Sequence, residues 1–214
     1  MPISPEELRS ALQAPLPGYS SFAEFSGYPR PNIEEALRQD PPLRESAVLI
    51  LIHPAAGVDR TLLMRRPVYQ GVHSGQIGFP GGKREAGDID LVATALREFG
   101  EETGGRTDNI QVVGQLTRIP IPPSRTLVTP MVGWAPQLGD LQPDQREVAA
   151  LLDVPLSELL RPDILRRKTF RMGLKGEERM AAYWDIRGEV VWGATAMMIA
   201  ELRAVLARFR SPHP

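Results

Sequence analysis

Apolar runs of strand length and apolar positions at helical spacing divide most of the chain into short elements. The continuous apolar run 47–52 predicts a strand buried on both faces. Further strands are predicted over residues 61–66, 110–119, 127–134, 168–172, 180–186 and 190–192. Helices are predicted from Pro5 to near Pro15 and over residues 33–38, 91–103, 155–160 and 194–209. Because strands and helices do not alternate regularly, the pattern predicts an α+β fold with a mixed β-sheet flanked by helices.

The first forty residues differ from the rest in composition and in the elements they predict, which are two short helices and a loop. Ser4 and Glu7 fit a capping box at the first helix, and Asn32 is a suitable N-cap for the second. The stretch 15–31 between them is rich in Gly, Pro, Ser and aromatic residues and is predicted to be loop. We therefore expect an N-terminal extension at residues 1–40 and one domain at residues 41–214. Two roles stay open for the extension: wrapping the domain, or meeting a second subunit in a homodimer.

Composition excludes several classes of function. The chain has 214 residues with 25 Lys and Arg against 26 Asp and Glu, a net charge of -1. This balance gives no basic excess for nucleic acid or an anionic membrane, so neither partner is expected. Cysteine is absent, which removes disulfides, thiolate zinc sites and Cys nucleophiles. No secretory signal or apolar run of about 20 residues is recognisable, so we expect a cytoplasmic protein.

The candidate chemistry lies in the helix 91–103. Its apolar positions share one arc of about 100°, whereas Glu98, Glu101 and Glu102 share a second arc that points largely away. These carboxylates repel one another by about 0.2–0.5 kcal/mol per pair, and the helix C-terminus disfavours each by about 0.3–1 kcal/mol. A divalent cation would reverse both penalties, since grouped hard oxygen ligands bind Mg²⁺. The alternative is an ordinary solvated acidic face.

Two neighbouring features favour the metal site. The Gly81-Gly82 pair precedes the helix, and a backbone without Cβ atoms can approach a metal or phosphate closely. Arg97 stands beside the carboxylates and can pair with Asp88, or with a neighbouring Glu, and brace this loop against the helix.

The segment resembles the Nudix box, in which a glycine and a later acidic residue precede the pattern R-E-U-x-E-E-x-G. Gly82 matches the first glycine, and the run 97–104 matches every fixed position of the second half. Asp88 replaces the usual Glu, and one extra residue separates it from Arg97. The resemblance implies an α/β/α Nudix-type sandwich that hydrolyses nucleoside diphosphates linked to another group, with Mg²⁺ or Mn²⁺ as cofactor.

The residues upstream narrow the resemblance to the coenzyme A pyrophosphatase branch. The runs 62–66 and 75–82 are similar to its motif LLTxR(S/A)xxxRxxxGxxxFPGG, and the extra residue in the box is also typical of it. Met64, Pro67 and Gly71 depart from the motif, and Gly71 replaces an arginine. Segments 147–148, 154–156 and 191–196 resemble later signatures of the branch, so the resemblance spans about residues 46–208.

Roles for individual residues follow from this resemblance. Glu98 and Glu102 are the expected metal ligands, and the Gly81 or Gly82 carbonyl can complete the shell. Glu101 is expected to be a further ligand or the base, and Glu147 a weaker candidate for the same roles. Arg97 supports the catalytic carboxylates. Substrate phosphates are expected to contact the diglycine and the side chains of Arg66, Lys83 and His73.

The leading hypothesis is hydrolysis of coenzyme A or acyl-CoA to 3′,5′-ADP and 4′-phosphopantetheine or its acyl form. A second hypothesis keeps the chemistry but changes the substrate to ADP-ribose, a dinucleotide or a nucleoside triphosphate, and Gly71 keeps it open. A third is a nucleotide-binding regulator without catalysis, although such proteins commonly lose the carboxylates that are all present here.

Overall fold

The computed structural model describes residues 2–27, 31–69, 74–172 and 176–208. Its helices are α1 (Pro5–Gln13), α2 (Tyr19–Phe22), α3 (Ile33–Leu37), α4 (Leu91–Thr103), α5 (Leu156–Leu159) and α6 (Gly193–Ala207). Its strands are β1 (Arg44–Ala55), β2 (Val58–Arg65), β3 (Ile77–Gly78), β4 (Gly81–Lys83), β5 (Gln111–Gln115), β6 (Ile119–Ile121), β7 (Thr126–Trp134), β8 (Ala150–Pro155), β9 (Leu165–Met172), β10 (Glu177–Ile186) and β11 (Glu189–Val191). Within the described residues, no helix is long and apolar enough to cross a membrane.

Strand β1 organises the main sheet. It runs parallel to β7 and antiparallel to both β2 and β4. Strand β2 also pairs with β3 and β8, and β7 with β5 and β6. Alternate residues of β1 enter different cores: Leu49 and Leu51 pack with α4, whereas Ile50 and Ile52 join the core that contains α6. The α+β prediction with a mixed sheet flanked by helices is confirmed.

Strands β9, β10 and β11 form a second, antiparallel sheet. One face joins the main core through Ala182 and the buried Trp184, whose indole N–H donates to the Ala196 carbonyl. The other face carries a separate cluster, in which Phe170 and Ala181 are buried and Tyr183, Val190 and Trp192 pack against them.

The described part of the N-terminal extension wraps the domain. The capping box at Ser4 and the N-cap at Asn32 form as predicted, and Asn32 also forms a capping box with Glu35. The buried side chains of α1 and the following segment enter the main core, where the Phe25 and Trp184 rings lie 4.6 Å apart. The boundary at residue 40 and the homodimer stay predictions.

The structure differs from the predicted elements at four places. The prediction of one strand over residues 110–119 was wrong, because residues 116–118 are not strand and separate β5 from β6. There the Thr117 N–H donates to the Glu201 carboxylate. Pro120 and Ile121, which lie beyond the end of the predicted strand, belong to β6. Strand β8 was not predicted, although it extends the main sheet beyond β2. The predicted loop 15–31 contains α2 and a one-turn 3-10 helix at Ala23–Phe25.

Candidate active site

Helix α4 brings the three carboxylates to one end of the domain. Asp90 caps its N-terminus by accepting the Ala93 N–H at 2.8 Å, and Gly104 ends it with a φ of 66°. Ala95 and Phe99 are buried against β1. This packing fixes the rotation of the helix, and Glu98, Glu101 and Glu102 therefore occupy its last turns in a defined orientation.

Glu102 lies in the interior rather than on a solvated face. Glu102 is 2% exposed, and its Oε2 accepts a hydrogen bond from the Gly81 N–H at 2.7 Å. The Arg66 guanidinium lies 3.5 Å from Oε1 and donates to the Gly81 carbonyl at 3.2 Å. Burial raises the pKa of Glu102 to about 7, partly opposed by Arg66 and the Gly81 amide. A carboxylate so placed favours a cationic partner.

Glu98 packs directly over Gly82. A Cβ atom on Gly82 would lie closer than 3.0 Å to the Glu98 carboxylate, so only glycine leaves room for this side chain. Burial raises the pKa of Glu98, and the Arg97 charge beside it opposes that shift. Gly81 is constrained differently, because its φ is 153° and a Cβ there would meet the backbone of β1.

Arg97 ties the loop before α4 to the helix. Its Nε and one terminal nitrogen each lie 2.9 Å from Asp88, and it also donates to the Lys83 carbonyl at 3.0 Å. The Arg97 guanidinium holds the pKa of Asp88 well below its usual range. The other terminal nitrogen contacts Glu98 at 3.1 Å and the exposed Glu101 at 2.9 Å.

The remaining predicted residues are less closely held. Glu147 is exposed, but its negative charge raises the pKa of both Glu98 and Glu102, so it belongs to the same electrostatic environment. The Lys83 side chain is exposed, and only its backbone carbonyl takes part in the contacts above. His73 lies outside the described residues.

The donor set suits a hard divalent cation. Glu98 brings its carboxylate over Gly82 and Glu102 brings its own to the Gly81 N–H, and the diglycine has no side chains to obstruct an ion. In the described ranges, no group of three acidic or histidine side chains converges on one point, since Glu98 and Glu101 turn toward Arg97. To bind a cation, Glu101 must release its contact with Arg97. Glu98 must release only the one oxygen that contacts the same guanidinium.

Comparison with known proteins identifies this arrangement. A family model described as the NUDIX domain matches residues 43–172. The chain belongs to the Nudix family. Relatives named "uncharacterized Nudix hydrolase NudL" include one from Yersinia enterocolitica, 32% identical over 91% of this chain and 88% of the relative. Another, from Photorhabdus laumondii, is 36% identical over 66% of this chain and 74% of the relative.

Solved structures agree at the level of the fold. The Nudix hydrolase RenU of M. smegmatis has a TM-score of 0.55 with 18% sequence identity, covering 80% of this chain and 90% of RenU. The expected Nudix fold is thereby confirmed, and the chain is a Nudix pyrophosphohydrolase. Nudix hydrolases generally use divalent metal ions, and the oxygen donors of α4 are of the type that such ions bind.

Proposed function

We propose that this Nudix hydrolase cleaves the pyrophosphate bond of coenzyme A or acyl-CoA to give 3′,5′-ADP and 4′-phosphopantetheine or its acyl form. The observation that carries the proposal is the position of the upstream motif. Its first half ends β2, and its second half contains β3 and the first two residues of β4, with Met64 opposite Gly78 and Arg65 opposite Ile77. Strands β2 and β3 thus form an antiparallel hairpin, and Arg66, which follows β2, contacts both Gly81 and Glu102.

The reaction needs charge neutralisation more than a covalent nucleophile. Water attacks one phosphorus in line, the bond from that phosphorus to the bridging oxygen breaks, and two phosphomonoesters leave. Bound Mg²⁺ or Mn²⁺ would supply Lewis acidity and a more acidic water. The chain must therefore hold the cation, orient the dianionic pyrophosphate and accept the proton of water.

We assign these tasks to the residues around the diglycine. Glu98 and Glu102 hold the cation, and a carbonyl of Gly81 or Gly82 can complete the shell. Glu101 is the further ligand or the proton acceptor, and Glu147 is the alternative for either role. Arg97 positions the carboxylates by holding the loop through Asp88.

The substrate phosphates are assigned to the cationic side of the site. Arg66 already borders the diglycine, because its guanidinium donates to the Gly81 carbonyl. A guanidinium can bind a phosphate through two parallel hydrogen bonds. Lys83 and His73 are the further candidates for phosphate contact from the same loop region of the sequence.

A substrate panel tests the proposal. Coenzyme A, 3′-dephospho-CoA, ADP-ribose, diadenosine polyphosphates and nucleoside triphosphates are incubated with Mg²⁺ or Mn²⁺, and products are identified by mass spectrometry. We expect the highest kcat/KM with coenzyme A or an acyl-CoA, with release of 3′,5′-ADP. A higher value for ADP-ribose or a triphosphate would favour the second substrate class, and no turnover of any compound would favour a regulator.

A pair of variants separates the site assignment from the choice of substrate. Glu102→Gln keeps the shape of the side chain but removes its charge, so kcat should fall by about 100-fold or more with the melting temperature preserved. Glu85→Gln is the matched control, because Glu85 is an exposed carboxylate of the loop that precedes α4. Full activity of Glu102→Gln would refute the assignment for every substrate.

A further inference from the structure

A cavity of about 380 Å³ lies between the segment 74–77 and the second sheet. This volume is within the range of small-molecule sites. The wall contributed by the sheet belongs to the cluster of Phe170 and Trp192 described above. Lys168 and Glu189 bring charge to the same wall, and Ser74 and Gln76 bring polar groups from the other side.

The aromatic wall offers a flat surface. The Phe170 and Trp192 rings are stacked, with centroids 4.6 Å apart and planes inclined by 18°. Trp192 remains partly exposed at the cavity. An aromatic base stacks readily on such a surface, because every base presents a flat π-face to a ring.

The charge of the cavity favours an anion. Lys168 Nζ lies 5.0 Å from the centre of the Phe170 ring and 5.3 Å from that of Tyr183. Glu189, the acidic side chain of the wall, is paired with Arg65 at 3.5 Å. In the part of the chain that the structure describes, Lys168 has no carboxylate within salt-bridge distance. Its ammonium group thus rests on ring faces and keeps its capacity to bind a phosphate.

The segment that lines the cavity is joined to the active site along the chain and through its pairing with β2. The Arg66 N–H donates to the Gln76 carbonyl at 3.0 Å, and Arg65 pairs with Ile77 of β3. Gln76 and Ile77 line the cavity, Ile77 begins β3, and only residues 78–80 separate it from Gly81. A substrate whose pyrophosphate lies on the diglycine can therefore extend one end along this hairpin.

We propose that the cavity binds the phosphorylated nucleoside end of the substrate, with the base against Trp192 and a ribose phosphate at Lys168. This inference rests on the proposed function and extends it to the group that is recognised. The opposite end, the pantetheine arm, is a neutral flexible chain, so it offers an ammonium group no charge to pair with and only neutral acceptors, whose hydrogen bonds are weaker than those of a phosphate. A base that carries a ribose phosphate uses both the ring surface and the charge.

Variants of Lys168 test the proposal through a comparison of two substrates. Lys168→Gln should raise KM for coenzyme A by about five- to tenfold and leave KM for 3′-dephospho-CoA within about twofold, because only the former carries the phosphate. Lys168→Arg should restore much of the difference. Arg171→Gln is the matched control, since Arg171 lies on the same strand with its side chain on the opposite face, and both KM values should stay unchanged.

A binding measurement without turnover completes the test. By calorimetry, adenosine 3′,5′-bisphosphate should bind wild type more tightly than adenosine 5′-monophosphate, and Lys168→Gln should abolish this preference. Trp192→Leu should weaken both nucleotides, because the base loses its stacking surface. The circular dichroism spectrum checks that each variant folds.

The outcomes distinguish the two proposals. If wild type does not cleave coenzyme A, the proposed function fails. The calorimetric preference for the bisphosphate then decides by itself whether the cavity binds a phosphorylated nucleoside. If wild type cleaves coenzyme A but Lys168→Gln changes both KM values equally or neither, the assignment of the cavity is wrong.

Discussion

The backbone N–H of Gly81 donates a hydrogen bond of 2.7 Å to Oε2 of Glu102, a residue 21 positions further along the chain. This bond joins the glycine strand β4 to the last turns of α4, the two halves of the Nudix box. It also orients a buried carboxylate that would otherwise lack a partner for one oxygen. The geometry of the candidate metal site therefore depends on the backbone of the diglycine as much as on the acidic side chains.

The two glycines of β4 should respond differently to a methyl group. Gly82→Ala places a Cβ against the mobile end of Glu98, so the side chain must move while the fold persists. We expect kcat to fall by about tenfold or more, with a melting temperature close to that of wild type. Steady-state kinetics and thermal denaturation measure both quantities.

Gly81→Ala is the matched comparison. Its Cβ would meet the Ala47 carbonyl and the Val48 backbone, and its φ of 153° disfavours any side chain. We expect a loss of about 2–4 kcal/mol in the free energy of unfolding, measured with urea. Equal stability of the two alanine variants would contradict this interpretation of β4.

Without metal, the stability of the protein should depend on the protonation of Glu102. Burial raises its pKa from 4.5 in the unfolded chain to about 7, so the folded state binds the proton more tightly. This contribution to stability is fully present below about pH 4.5 and is lost as the pH rises through 7. Arg66 opposes the shift, whereas the charges of Glu98 and Glu147 reinforce it.

Thermal denaturation in EDTA between about pH 5 and about pH 8 checks this prediction, because most of the interval between the unfolded and the folded pKa lies in that range. Glu102→Gln should lose that component of the pH dependence, because it has no proton to release. Calorimetric titration with Mn²⁺ should show affinity increasing with pH over the same interval, since the cation competes with the proton. A wild-type profile parallel to that of Glu102→Gln would argue against the raised pKa.

Asp88 should matter most for the loop that Arg97 braces. Asp88→Asn removes the negative charge of the carboxylate that accepts two hydrogen bonds from Arg97. The loop is then held less firmly against α4 and its carboxylates. We expect a lower melting temperature and a fall in kcat of about tenfold.

The pH dependence supplies the control for Asp88. Because its pKa is depressed in the folded state, its contribution is present above the unfolded value of 3.8 and is lost at lower pH. The melting temperatures of wild type and Asp88→Asn should therefore converge in strong acid. A constant difference between them would show that charge is not the cause.

Glu201 of α6 should stabilise the fold without serving catalysis. Its buried carboxylate accepts the Gly18 N–H at 2.8 Å, the Thr117 N–H at 2.9 Å and the Thr117 hydroxyl at 2.6 Å. Glu201→Ala leaves these donors without their acceptor, and we expect a loss of about 2–5 kcal/mol, measured by urea denaturation. Glu201→Gln should lose less, and kcat should be retained below the melting temperature. A full-stability alanine variant would contradict this role.

Local patterns predicted the elements that carry the box. The apolar run 47–52 became the central part of β1, and the helix predicted at residues 91–103 is α4, with the same bounds. Arg97 and Asp88 also pair as expected. These features were predictable because caps, helical periodicity and strand-length apolar runs act over a few neighbouring residues.

Features that depend on distant segments were not predictable in the same way. The strand 110–119 breaks because Thr117 meets Glu201, 84 positions away. Likewise, β8 forms because β2 offers it an edge, and the cavity beside Lys168 exists only where the second sheet faces the hairpin. No local signal in the sequence distinguished Lys168 from the other basic residues of β9.

The order of residues by itself determined which side chains share the acidic face of α4, since a helix repeats every 3.6 residues whatever surrounds it. The tertiary structure alone decided that Glu102 is buried beside Arg66, that Glu147 adds its charge, and that Glu98 lies over Gly82. Those relationships depend on the pairing of strands and on how the helix packs against the sheet. Both are decided by the burial of apolar surface over the whole domain, so a short segment of sequence does not contain them.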